Sequence, residues 1–115
     1  MNTRKMMMTV MLLGSLLVAA GCGVTDAHCD FKDSAGKLKR CQERLGSLAN
    51  AGFKATGGAA GGTCSDGPCV RTGAVGGCYM GDQGDGSKIN DWYYLGTSAD
   101  ATKTCSDDKG TFLTP

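Results

Sequence analysis

The apolar positions of this chain change pattern several times along its length. Met6 to Ala20 is a nearly unbroken apolar run, interrupted only by Thr9, Gly14 and Ser15. From Ser34 to Asn50, Leu38, Cys41, Leu45 and Leu48 recur at spacings of three and four, which places them on one face of an amphipathic helix near 34–50. Asp33 or Ser34 suits the start of that helix, and Gly52 suits a left-handed position at its end. Between Gly52 and Gly86 about every third residue is glycine, with no collagen-like period. Within it, residues 55–62 read as a flexible connector. Cys78-Tyr79-Met80 and Ile89–Leu95 read as two strands joined by the polar loop Gly81–Ser87, a short β-hairpin or small antiparallel sheet. Thr97 and Asp100 have the spacing of a capping box, which starts a short C-terminal helix through Cys105. Thr111-Phe112-Leu113 supplies a last strand. The expected fold class is therefore small, disulfide-rich α+β.

The apolar run changes how the first residues are read. Arg4 and Lys5 precede it with no acidic residue, and small residues follow it, which is the order of a secretory signal. Spanning a bilayer as a helix takes about 20 apolar residues, more than this run offers. Leu17-Val18-Ala19-Ala20-Gly21-Cys22 resembles a bacterial lipobox, with Ala19 where that family usually has Leu. The resemblance implies cleavage after Gly21, diacylglycerol on the Cys22 thiol and acylation of the new amine. Residues 1–21 are then a cleaved signal peptide, 22–28 a lipidated tether, and 29–115 a single small cysteine-rich domain. Two or more acyl chains anchor stably where one holds only marginally. By the same resemblance, Gly23, rather than Asp, after the cysteine favours the outer membrane. The competing reading is ordinary cleavage after Ala20 and a soluble secreted product.

Cysteine arithmetic supports the anchor. The chain has seven cysteines, and an odd thiol in an oxidising compartment calls for an explanation. Lipid on Cys22 leaves Cys29, Cys41, Cys64, Cys69, Cys78 and Cys105, an even set read as three disulfides. Each contributes about 2–4 kcal/mol, comparable with the net stability of a small domain. Six cysteines allow fifteen pairings; locality suggests Cys29 with Cys41 and the other four among themselves. The spacing of Cys64, Cys69 and Cys78 is loosely suited to zinc, but exported thiols oxidise and no C-x-x-C is present, so neither a metal nor a cofactor is expected. Nineteen glycines and few large apolar side chains make such cross-links necessary.

Charge adds little. Twelve Lys and Arg face eleven Asp and Glu, and no basic stripe for nucleic acid is present. Asp82, Asp85, Asn90 and Asp91 invite a calcium loop but lack the fixed ligand positions and closing Glu of an EF-hand. The single histidine, His28, sits beside the tether without a nucleophile, and the single glutamate, Glu43, falls on the expected helix; no catalytic residue is assigned and an enzyme is not expected. Trp92, Tyr93 and Tyr94 form the candidate binding patch, since Trp and Tyr favour recognition hot spots. They serve equally well as the main core strand, with at least two of the three inside.

Gly62-Thr63-Cys64, Tyr93-Tyr94 and Cys105 followed by Lys109-Gly110-Thr111-Phe112 are similar to motifs of the small cysteine-rich lipoproteins of Gram-negative bacteria. That resemblance implies a class and no mechanism. The functional expectation is a lipid-anchored cell-envelope lipoprotein, most simply at the outer membrane on its periplasmic or surface face. It would act as a non-enzymatic interaction module for an envelope protein or glycan. The alternatives are a structural envelope component without a specific ligand and a secreted, disulfide-framed inhibitor or toxin-like protein.

Overall fold

The computed structural model describes residues 25–115; residues 1–21, expected to be a signal peptide, and Cys22 lie outside the described residues. In chain order the elements are β1 (Ala27–Lys32), β2 (Leu38–Leu45), α1 (Ala51–Ala59), β3 (Thr63–Asp66), β4 (Gly76–Asp82), β5 (Lys88–Tyr93), α2 (Ser98–Asp107) and β6 (Thr111–Leu113). The strands form one six-stranded sheet in the order β3-β1-β2-β5-β4-β6, with every neighbouring pair antiparallel. The fold is thus disulfide-rich and mostly sheet, with two short helices.

The segment expected to be a helix at 34–50 is a turn followed by β2, a central strand paired on both sides. Alternation, not a 3.6-residue period, governs it: Cys41 and Glu43 are buried on one face, while Arg40, Gln42 and Arg44 lie on the other. The side chain expected to cap a helix instead closes the β1–β2 hairpin. Asp33 Oδ1 accepts from the backbone N–H of Ala35 and of Lys37, each at 2.9 Å. Asp and Ser serve both roles because both put a side-chain oxygen against nearby backbone N–H groups.

Residues 55–62 are also not a free connector, because most of them belong to α1. Glycines there permit close approach. A Cβ on Gly57 would lie 2.3 Å from Cys29 Sγ and 3.0 Å from Cys64 Sγ, so α1 rests directly on a disulfide. The helix ends where Gly62 N–H bonds back to the Gly57 carbonyl at 2.9 Å, with Gly61 left-handed at φ +95°.

The C-terminal half follows its sequence pattern. β4 and β5 form the expected hairpin, β6 adds to β4, and α2 begins at the expected capping box. Asp100 N–H donates to Thr97 Oγ1 at 3.2 Å, and Thr97 N–H donates to Asp100 Oδ2 at 2.8 Å.

Three disulfides cross-link the domain: Cys29–Cys64 links the paired strands β1 and β3, while Cys41–Cys69 and Cys78–Cys105 join the sheet to the segments that cover it. The expected Cys29–Cys41 bridge is ruled out by register. Cys29 faces Gln42 and Asp30 faces Cys41, so the two cysteines project from opposite faces of the sheet. On the Cys29 face lie α1 and α2, the latter tied through Cys78–Cys105. On the Cys41 face, among the described residues, lies only the loop Gly67–Val75, tied through Cys69. Thr25 to His28, read from sequence as tether, are taken up by the fold: Ser47 N–H bonds the Thr25 carbonyl at 2.8 Å, and β1 starts at Ala27.

Candidate binding site: a hollow above a buried glutamate

The loop-covered face is organised by Glu43. Its side chain is 0% exposed, yet it bonds no cation among the described residues. Oε1 accepts from the Cys69 backbone N–H at 2.9 Å. Oε2 accepts from Asn90 Nδ2 at 2.9 Å and from Trp92 Nε1 at 3.0 Å. All three partners are donors, the set that a carboxylate takes. Register explains the convergence: Glu43 lies opposite Asn90, and Cys41 lies opposite Trp92, all pointing to the same face. One side chain therefore binds two adjacent strands and the covering loop together.

Trp92 is the centre of this face at 1% exposure, packed with Cys41 and Cys69. Gly77, its partner on β4, leaves room for the indole, since a Cβ there would lie 2.6 Å from Trp92 Cε3. The Arg71 guanidinium sits 4.7 Å from the Trp92 ring centroid, a cation–π contact. Tyr94 donates its hydroxyl hydrogen bond to the Val70 carbonyl. Burial pushes the Tyr94 phenol up to about 12, helped by the nearby carboxylates of Asp30 and Glu43.

Beside these groups is an open hollow of about 550 Å³, bordered by Leu45, Arg71, Tyr79, Lys88, Asn90 and Leu113. Arg71 and Lys88 are exposed and form no ion pair among the described residues. Asn90 Oδ1 is buried and takes no hydrogen bond among them. The hollow thus combines two available cations, apolar rims and a floor fixed by the Glu43 network.

The candidate aromatic patch does not form one surface. Trp92 and Tyr94 project to the loop side, while Tyr93, one residue out of step, projects to the helix side. There burial pushes the Tyr93 phenol up to about 12, with Asp91 and Asp108 adding to the rise and Arg40 opposing it. Asp91 is buried beside Arg40, with Nη1 at 3.6 Å; burial raises its pKa and Arg40 opposes the rise.

The acidic residues singled out between Asp82 and Asp91 do not converge either. Asp82 accepts from the Tyr79 hydroxyl at 2.6 Å. Asp85 accepts from both the backbone and the hydroxyl of Ser87, and Arg44 Nη2 bonds it at 2.8 Å. Those donors hold the Asp85 carboxyl down at about 2, the Ser87 hydroxyl first among them. No group of three or more potential metal ligands is found among the described residues. His28 is half-buried, and its Nδ1 lies 2.9 Å from the Gly67 carbonyl, so it serves to seat the loop.

Glu43 is the organising residue of this face that the expected helix concealed, because a helix over 34–50 gives it no reason to point inward with Cys41. Its position two residues from Cys41 was the available signal: in a strand, those two share a face. Cys64, Cys69 and Cys78, considered for zinc, each belong to a different disulfide. Comparison with protein-family models, with curated proteins and with solved structures found no match for this chain.

Proposed function

We propose that the protein is a lipid-anchored component of a bacterial cell envelope whose folded part is a rigid, non-enzymatic interaction module. Three disulfides within residues 25–115 support export to an oxidising compartment. The lipobox-like Leu17–Cys22 supports anchorage through lipid on Cys22, with the outer membrane as its place.

The observation that carries the interaction reading is the hollow. Arg71 and Lys88 stand at its rim without ion-pair partners among the described residues, over a floor that the Glu43 bonds and the Cys41–Cys69 bridge hold in place. A preformed site loses little freedom on binding. Cations flanked by Leu45 and Leu113 suit an acidic protein segment carrying apolar side chains. The test is titration of the mature protein with a glutamate- and leucine-containing peptide and with an oligouronate, followed by Trp92 fluorescence. Peptide binding that weakens with salt and is lost in Arg71→Ala supports the reading. Preference for the oligouronate redirects it to a glycan, and equal binding of a neutral peptide overturns it.

The burial of Trp92 favours a second reading, a structural envelope component without a specific ligand. Absence of binding by both probes would support that reading.

A further inference from the structure

Leu48 is the most exposed large apolar side chain among the described residues, at 67%. It lies in the Gly46–Asn50 loop, where no described residue covers it. That loop is also where the start of the described chain is fastened. Ser47 N–H bonds the Thr25 carbonyl at 2.8 Å, and Gly46 N–H bonds Asp26 Oδ1 at 3.0 Å. Ala49, Ala51 and Gly52 beside it are small and exposed. The adjoining hairpin contributes an acid, Asp85, but Arg44 pairs with it at 2.8 Å.

Cys22 is three residues before Thr25 in the sequence. At about 3.3–3.6 Å per residue, three residues reach at most about 11 Å. Acyl chains on Cys22 therefore hold the Gly46–Asn50 loop within about a nanometre of the headgroups. A longer tether would leave the domain free to tumble; this one does not.

We infer that the loop around Leu48 is a membrane-contacting foot: Leu48 enters the lipid surface, and the domain stands with the β1–β2 turn and Leu95 pointing away. This rests on the proposed lipid at Cys22. β2 sets the height. It runs from Leu38 at the far end to Leu45 beside the foot, roughly 24 Å at 3.4 Å per residue. Leu95 lies at that far end, since Tyr94 N–H bonds the Lys39 carbonyl at 3.1 Å. The hollow then opens sideways, parallel to the membrane.

The test uses the full chain processed in a Gram-negative host, with acylation verified by intact mass. Leu48→Trp and Leu95→Trp are reconstituted in phosphatidylethanolamine–phosphatidylglycerol vesicles with or without brominated acyl chains. The added emission of Leu48→Trp should shift to the blue and be quenched at least about twofold, because an inserted apolar side chain sits at the headgroup–acyl boundary. That of Leu95→Trp should be unchanged. Hydrogen exchange on the unaltered protein gives the same test without a variant: amides of residues 48–53 slow on vesicles relative to detergent, and those of 94–97 do not. Acylated protein with equal quenching, or none, at both positions overturns the foot alone. Absence of acyl mass overturns the anchor, and the foot with it.

Discussion

Replacing Glu43 with glutamine tests whether one buried carboxylate holds the loop-covered face together. The amide keeps the size of the side chain but offers a single acceptor oxygen, and its NH₂ must point at an N–H donor. Of the donors Cys69 N–H, Asn90 Nδ2 and Trp92 Nε1, one or two then lose their acceptor. An unsatisfied buried donor costs about 1–3 kcal/mol, so the expected loss is about 2–4 kcal/mol. That is a large share of the roughly 5–15 kcal/mol available to a folded domain. With a urea m-value of about 1–1.5 kcal/mol/M, the unfolding midpoint falls by roughly 2 M. The assay is urea unfolding of the oxidised protein followed by Trp92 emission, with a thiol count to show that the disulfides are intact. The folded variant should also emit further to the red as the loop loosens over the indole. A midpoint within about 0.5 M of the parent, with unchanged emission, would refute the assignment of Glu43 as the organising residue.

Other outcomes follow from the same geometry. Gly57→Ala should destabilise by about 1–3 kcal/mol, because its methyl meets the Cys29–Cys64 bridge. Gly58→Ala, with nothing within 4 Å of the new methyl, should stabilise by up to about 1 kcal/mol; thermal melts of the pair check the opposite signs. Asp85, held at about 2 in the fold, favours the native state above the ordinary carboxylate range, and this contribution is lost as pH falls from about 4 to about 2. Urea midpoints across that window should therefore fall more steeply for the parent than for Asp85→Asn. Tyr93 and Tyr94 are raised to about 12, so their neutral forms belong to the fold. Their contribution is complete below about pH 10 and is lost towards pH 12, and tyrosinate absorbance should rise later in native than in denatured protein.

Much of the C-terminal half was legible because its signals are local. The Thr97–Asp100 capping box and the polar loop between two apolar runs each act over a few residues. β2 was not legible, because its inward residue is Glu43. A carboxylate at a core position breaks the apolar–polar alternation that marks a strand, and Leu38, Cys41 and Leu45 then mimic a helical stripe. The identical Asp33 chemistry serves a helix cap and a hairpin turn, so it did not discriminate. α1 was hidden for a related reason. Its glycines are poor helix formers, and the one that packing requires, Gly57, sits where the helix backbone approaches a disulfide that sequence alone could not pair. Local proximity misled on the bridges too, because faces are set by strand register, and register depends on partners far along the chain.

The proposed anchor and the cross-linked fold meet in one measurement: non-reducing proteolysis and mass spectrometry of the protein isolated from cell envelopes. The expected result is an acylated Cys22 as the first residue, with peptides joined through Cys29–Cys64, Cys41–Cys69 and Cys78–Cys105. An intact leader on protein with free thiols, or linked peptides joining Cys29 to Cys41, would contradict it.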